Sequence, residues 1–277
     1  MLLVLICAAL LVVAVVLTAV WWREPFIDPP LAPVGSRADG LRVYARWALM
    51  LTIVGITSGV LVVGAGGRLV MRLLAVASPE ASGRITEAQA TVGEITVEGT
   101  LGYLLFGALP AALVSTALYL LVAHWIPRGA LAGPVLAGVC LVIVGTTVDP
   151  LRAENIDFAI LDPDWLGLVL FALLAVLQGA FVAAVAARLS RSLPPMSKRN
   201  LPATAVPFLL AVAYVPLGIL LALGAVIAVL FPRALPTVGA ARASGDGVVL
   251  GRALLVLAVV IFLPQFVVSV VAILDGP

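Results

Sequence analysis

Hydrophobic residues run almost unbroken through seven stretches of this chain, at about 1–22, 47–76, 100–125, 129–148, 165–189, 205–231 and 253–274. Each is close to the roughly 20 residues that a helix needs to cross about 30 Å of hydrocarbon. The stretches between them are short and carry most of the prolines and charges. The pattern predicts an all-α membrane protein: a bundle of about seven transmembrane helices forming a single integral membrane domain over 1–277. The first run is followed at once by Arg23 and has neither a basic leader nor a small-residue cleavage pattern, so it reads as a retained helix.

One polar segment departs from the helical pattern. After Pro79, GRITEAQATVGEITVEGT alternates well enough for a short β-hairpin over about 84–98, with strands near 84–87 and 94–98 and the turn near Val92 and Gly93. Bare strand edges are not tolerated in lipid, so the hairpin is expected to cap one face of the bundle. In the later loop, Asp162 before Pro163 reads as a helix N-cap with proline at the first helical position.

Composition agrees with the pattern. Hydrophobic residues make up 63% of the 277 and charged residues only 11%, against about 45–50% and 25% in soluble domains. The net charge of +2 comes without a polybasic run, which argues against nucleic acid as a partner. Arginine outnumbers lysine fifteen to one, and alanine, valine and leucine dominate, as in proteins of high-GC bacteria. The expected location is a bacterial plasma membrane. Cys7 and Cys140 fall inside apolar runs and read as small hydrophobes. His124, beside Trp125 at the end of a span, reads as an interfacial aromatic-belt residue. No metal-ligand constellation or cofactor fingerprint is present.

Charge placement gives an orientation. With the N-terminus outside, alternate loops place Arg23, Arg37, Arg42, Arg46, Arg128, Arg188, Arg191, Lys198 and Arg199 inside. Arg68, Arg72, Arg84, Arg152, Arg233, Arg242 and Arg252 then fall outside. This small excess favours N-out, C-in. Two spans separate the segments 76–99 and 149–164, so both lie on one face, which carries nine of the fourteen acids.

Candidate chemistry gathers on that face. Arg68 and Arg72 stand one turn apart where the second span leaves the glycine cluster Gly64, Gly66 and Gly67, and an i,i+4 pair presents both guanidinium groups on one side. Either they snorkel to the boundary or they turn inward to hold a carboxylate or an anionic ligand. Asp149 and Asp157 in the later loop are the expected partners, and at least one arginine–carboxylate pair is predicted. The glycines permit close helix packing, and also a kink or unwound turn. Gln178 and Gln265 are isolated intramembrane amides, expected to hydrogen-bond between helices. Leu101-Gly102 with Leu105-Phe106 recurs as Leu166-Gly167 with Leu170-Phe171, a match that either duplication or leucine-rich chance produces.

From about 59 to 189 the chain resembles a set of uncharacterised polytopic membrane proteins of high-GC, actinobacterial-type bacteria. The likeness rests on GRLVMRLLA, on GRITEAQATVGEITVEGTLGYLLFG, and on the NIDF and DPDWL pieces of the later loop. It implies the same arginine-bearing helix, hairpin and paired spans, and brings no activity.

No nucleophile–base pair, Walker loop or dinucleotide fingerprint appears. The expectation is a non-enzymatic membrane scaffold or accessory subunit, embedded in the lipid bilayer, with a protein partner at the acidic loop face. The alternative is a small-solute or ion permease with its site near Arg68 and Arg72. A second alternative is a membrane enzyme acting on a lipid or envelope substrate. A water-filled cavity lined by Gln178 or Gln265 and reaching the arginines marks the permease; a sealed arginine–carboxylate clasp marks the scaffold.

Overall fold

Helix is the dominant element of the computed structural model, which describes residues 2–27, 36–87, 91–147, 151–152, 154–193 and 214–275. Helix α1 spans Leu2–Trp21, α2 Arg37–Ala77, α3 Val97–Val122, α4 Gly129–Gly145, α5 Ile156–Ile160, α6 Asp164–Ser192, α7 Val215–Leu230, α8 Ala234–Ala243 and α9 Gly245–Asp275. Five of these (α1, α2, α3, α6 and α9) are long and apolar enough to cross a membrane. The pair α7 and α8 makes a sixth only if counted as one span, and it bends by 94° at the break. At 17 residues, α4 is about 25 Å long and shorter than the usual hydrocarbon thickness.

Local signals explain several boundaries. α2 starts ten residues before the apolar run, because Ser36 and Asp39 close a reciprocal capping box. It then continues for 41 residues through the glycine cluster. In place of the kink or unwound turn that the glycines would permit stands a π-helical stretch, Gly59–Gly64, which widens the helix without breaking it. α3 has the same device at Leu104–Ala108, directly before Pro110, where the missing proline N–H disturbs the ladder. Asp162 is not an N-cap: that place belongs to Pro163, and the helix starts at Asp164.

Helix α6 lies at the centre. Its Phe181, Val182 and Ala186 pack with Ala14 of α1, Met50, Val54 and Val62 of α2, Tyr119 of α3 and Leu136 of α4. The tightest crossing is between α4 and α6: a Cβ on Gly133 would strike the backbone of Ala180, and one on Gly179 the carbonyl of Gly133. Two glycines therefore let these backbones meet without side chains between them.

The C-terminal third departs from simple alternation of loops. α7 runs back along α2, with Leu217 against Ala48 and Tyr44 Oη donating to the Leu221 carbonyl at 2.6 Å. It ends with Pro232 beside Gly40. α8 stays at that end of the bundle, where Arg242 Nη1 donates to the carbonyls of Leu120 and Leu121 at 2.9 and 2.8 Å. α9 then starts with Arg252 Nε donating to Trp125 O at 3.2 Å and finishes with Ile273 packed on Leu151 and Phe158. The first residues of α1 lie at that same far end, since Leu11 reaches Gly66 while Trp21 sits under Arg188. Both helical termini thus emerge at the end that carries residues 78–96 and 151–163, in contrast to the opposite ends that alternate counting implies.

This redistributes the charge. Arg23, Arg37, Arg42, Arg46, Arg128, Arg188, Arg191, Arg233, Arg242 and Arg252 all gather at one end, the basic end. The other, acidic end has Arg68, Arg72, Arg84 and Arg152 among the described residues, together with Glu80, Glu87, Glu94, Glu98, Glu154, Asp157, Asp162, Asp164 and Asp275.

Candidate functional site

The acidic end is built on the last three turns of α2. Val70 and Leu74 turn inward from that helix and pack with Ala81, Val92 and Leu161, so the loops on both sides of α3 and α4 share one small apolar centre. Burying Val92 and Leu161 there pins the two loops to the bundle and to each other.

The expected hairpin is not formed. Among the described residues there is no strand, only one antiparallel bridge between Ile85 and Thr91. Two backbone bonds accompany it, Val92 N to Arg84 O at 2.9 Å and Gly83 N to Val92 O at 3.2 Å. Because Ile85 pairs with Thr91, Val92 and Gly93 are not the hairpin's turn as the sequence placed it; they form a separate turn closed by Glu94 N donating to Thr91 O at 3.2 Å, with Gly93 at a φ of 91°. The second strand is absent because Thr96 caps α3, its hydroxyl accepting from Gly99 N at 3.0 Å, and helix begins at Val97. Ile85 and Val97 point outward, at 57% and 60% exposure, and Val92 takes the buried position instead.

Polar links tie the two loops. Glu87 accepts an ion pair from Arg152, and its backbone amide donates to Asp157 Oδ1 at 2.8 Å. Ser78 Oγ donates to the Asp162 carbonyl. Asn155 Oδ1 caps α5 through the Asp157 amide at 2.9 Å. Arg152, which the sequence did not single out, is thus the cation of the clasp.

The two arginines have other partners. Arg72, exposed, donates from Nη1 to the Gly93 carbonyl at 3.0 Å. Arg68 is half-buried, with its guanidinium carbon 5.3 Å from the centre of the Tyr103 ring. The Tyr103 hydroxyl in turn donates to Val63 O at 3.1 Å. A Cβ on Gly67 would collide with Tyr103, so this glycine makes room for the stack. The predicted pairing of Arg68 or Arg72 with a loop carboxylate is therefore not formed among the described residues. Asp157 is spent on the Glu87 amide, and Asp149 lies outside the described residues.

A cavity of about 40 Å³ opens between Arg68, Arg72, Thr86, Thr91, Gly93 and Leu161. Gln178 and Gln265 do not line it. Gln178 is buried between helices and donates from Nε2 to Ser58 Oγ at 3.1 Å and Ser115 Oγ at 2.9 Å, as an interhelical amide should. Gln265 departs from that expectation: it is exposed on the outer face of α9 and bonds to none of the described residues. Its helix is the least buried of the long spans, so no neighbour stands opposite the amide.

At the basic end His124 packs edge-on against Phe26, 6.4 Å between ring centres, next to Trp125. Cys7 and Cys140 are both free thiols. Among the described residues, no three His, Cys, Asp or Glu side chains stand close enough to share a metal ion. No known protein family, curated protein or solved structure matches the chain.

Proposed function

We propose that this protein is a multi-pass scaffold or accessory subunit of a bacterial plasma membrane, which presents its acidic end to a basic protein partner. In this reading α1, α2, α3, α4, α6 and α9 cross the membrane, an even number that returns both helical termini to one face, while α7 and α8 return the chain to the basic side. The positive-inside tendency puts the ten arginines of the basic end in the cytoplasm. The acidic end and both helical termini then face outward.

The observation that carries the reading is the clasp. Glu87, Arg152, Asp157, Ser78 and Asp162 are spent on binding one loop to the other, and Arg72 on holding the Gly93 turn. That is the economy of a rigid surface. Around it Glu80, Glu94 and Glu98 remain exposed, suited to steering a basic partner. The cavity at the arginines holds two or three waters by volume, and deeper in the bundle the Gln178 amide nitrogen is bonded to Ser58 and Ser115.

The test is purification in mild detergent of the wild type and of a Glu80→Lys/Glu94→Lys/Glu98→Lys variant. A stoichiometric partner present with the first and lost from the second, at equal yield of folded protein, supports the docking role. Selective solute flux through proteoliposomes holding the pure wild type, abolished by Arg68→Gln, contradicts it and favours a permease.

A further inference from the structure

Arg68 follows Trp47 by twenty-one residues of α2, about 31 Å along a helix axis. Trp47 packs against Phe26 at the basic end, 6.2 Å between ring centres. One hydrocarbon thickness above it, Arg68 and Arg72 reach the level of lipid phosphates. Neither forms an ion pair with a described carboxylate, although nine acids crowd the same end. Arg68 Nε is buried with no hydrogen-bond partner among the described residues, and its guanidinium stacks over the Tyr103 ring. An arginine left so at a hydrocarbon boundary is costly, and the guanidinium fork matches a phosphate better than any other common anion of that region.

The cavity between the arginines and the 91–95 turn has the right scale. About 40 Å³ holds two or three water-sized groups, which suits the two non-bridging oxygens of a phosphodiester with its ester oxygens left at the opening. Thr86 and Thr91 line it with the two arginines, while Met71 and Leu161 give it an apolar wall. Glu94 also lines it and pairs with neither guanidinium. A carboxylate at the rim penalises a second negative charge on the ligand, which selects a monoanionic phosphodiester over a dianionic monoester.

We infer that Arg68 and Arg72 form a binding site for a phosphate group, best suited to a phosphodiester. Such a group comes from an anionic phospholipid of the surrounding leaflet or from a phosphate anion free in solution. The site does not depend on the docking role of the acidic end, because its readout is ligand affinity in the purified chain.

The experiment titrates the full-length protein in uncharged detergent with two probes, phosphatidylglycerol in mixed micelles and inorganic phosphate. Variants are Arg68→Gln/Arg72→Gln, Arg72→Lys and, as control, Arg84→Gln, which removes an exposed charge from the same end without touching the cavity. The wild type is expected to bind phosphatidylglycerol saturably. Losing one charge-assisted bond weakens binding by about tenfold, so the double variant is expected to lose at least that much. Arg72→Lys is expected to lose a similar factor while keeping the charge and the fold, and Arg84→Gln to stay within about twofold. Saturation by phosphatidylglycerol alone identifies the lipid as the source, and saturation by both probes identifies the headgroup charge as sufficient. Absence of saturable binding by either probe, or equal affinity in the wild type and Arg72→Lys, overturns the site.

Discussion

Arg72 and Gly93 are joined by a 3.0 Å hydrogen bond from a guanidinium nitrogen to a backbone carbonyl, so a side chain of the long helix α2 holds the turn that follows it by 21 residues. The bond is exposed, which limits its worth to about 1 kcal/mol. Arg72→Gln is accordingly expected to speed amide exchange across 82–95 about fivefold and to leave exchange in α6 unchanged. Equal acceleration in both segments contradicts a local tether.

Glu87 and Arg152 make the one ion pair that joins the two loops among the described residues. Both are partly exposed, and coupling in such pairs is small, about 0.2–1 kcal/mol. A double-mutant cycle of Glu87→Gln and Arg152→Gln, read by thermal unfolding, should return a value in that range that falls as salt rises. A coupling above about 2 kcal/mol would place the pair in a much drier setting than its exposure implies.

Gly67 and Tyr103 are a steric pair. A methyl at 67 points into the phenol, so Gly67→Ala should cost about 1–3 kcal/mol, the usual cost of overpacking. The closest atom is the hydroxyl. Combining Gly67→Ala with Tyr103→Phe should therefore cost less than the two separate losses added, measured as thermal midpoints in one detergent.

The crossing of α4 and α6 offers an internal comparison. Gly133→Ala puts a methyl into the Ala180 backbone, whereas Gly138, on the same helix, has nothing within 4 Å of its would-be Cβ. The first substitution should destabilise by more than about 1 kcal/mol. The second should be neutral or mildly stabilising, since alanine favours helix by up to about 1 kcal/mol over glycine. Reversed signs would mean that the helices do not cross at Gly133.

The long apolar helices were legible in the sequence because unbroken apolar runs of this length have few other solutions, but the count of seven was not: five described helices, or six with the bent pair, are long and apolar enough to cross a membrane. The interhelical role of Gln178 was legible for an equally local reason. Long-range choices were not. The periodicity of GEITVEG fits a strand until Thr96 is recognised as a cap. The arginines found an aromatic ring and a backbone carbonyl, partners that charge counting does not consider. Alternating loops failed after α6, because α7 turns back along α2 and α8 keeps the chain at the basic end through Arg242 and its two carbonyl acceptors. That turn moved Arg233, Arg242 and Arg252 to the other side of the ledger.

The account stands on the acidic clasp facing outward, and single-cysteine labelling in whole cells tests this most directly. With Cys7 and Cys140 replaced by alanine, a membrane-impermeant maleimide should label Ser82→Cys at the acidic end and spare Arg128→Cys at the basic end until the cells are permeabilised. Labelling of Arg128→Cys in intact cells, with Ser82→Cys protected, would contradict the orientation and the outward docking face with it.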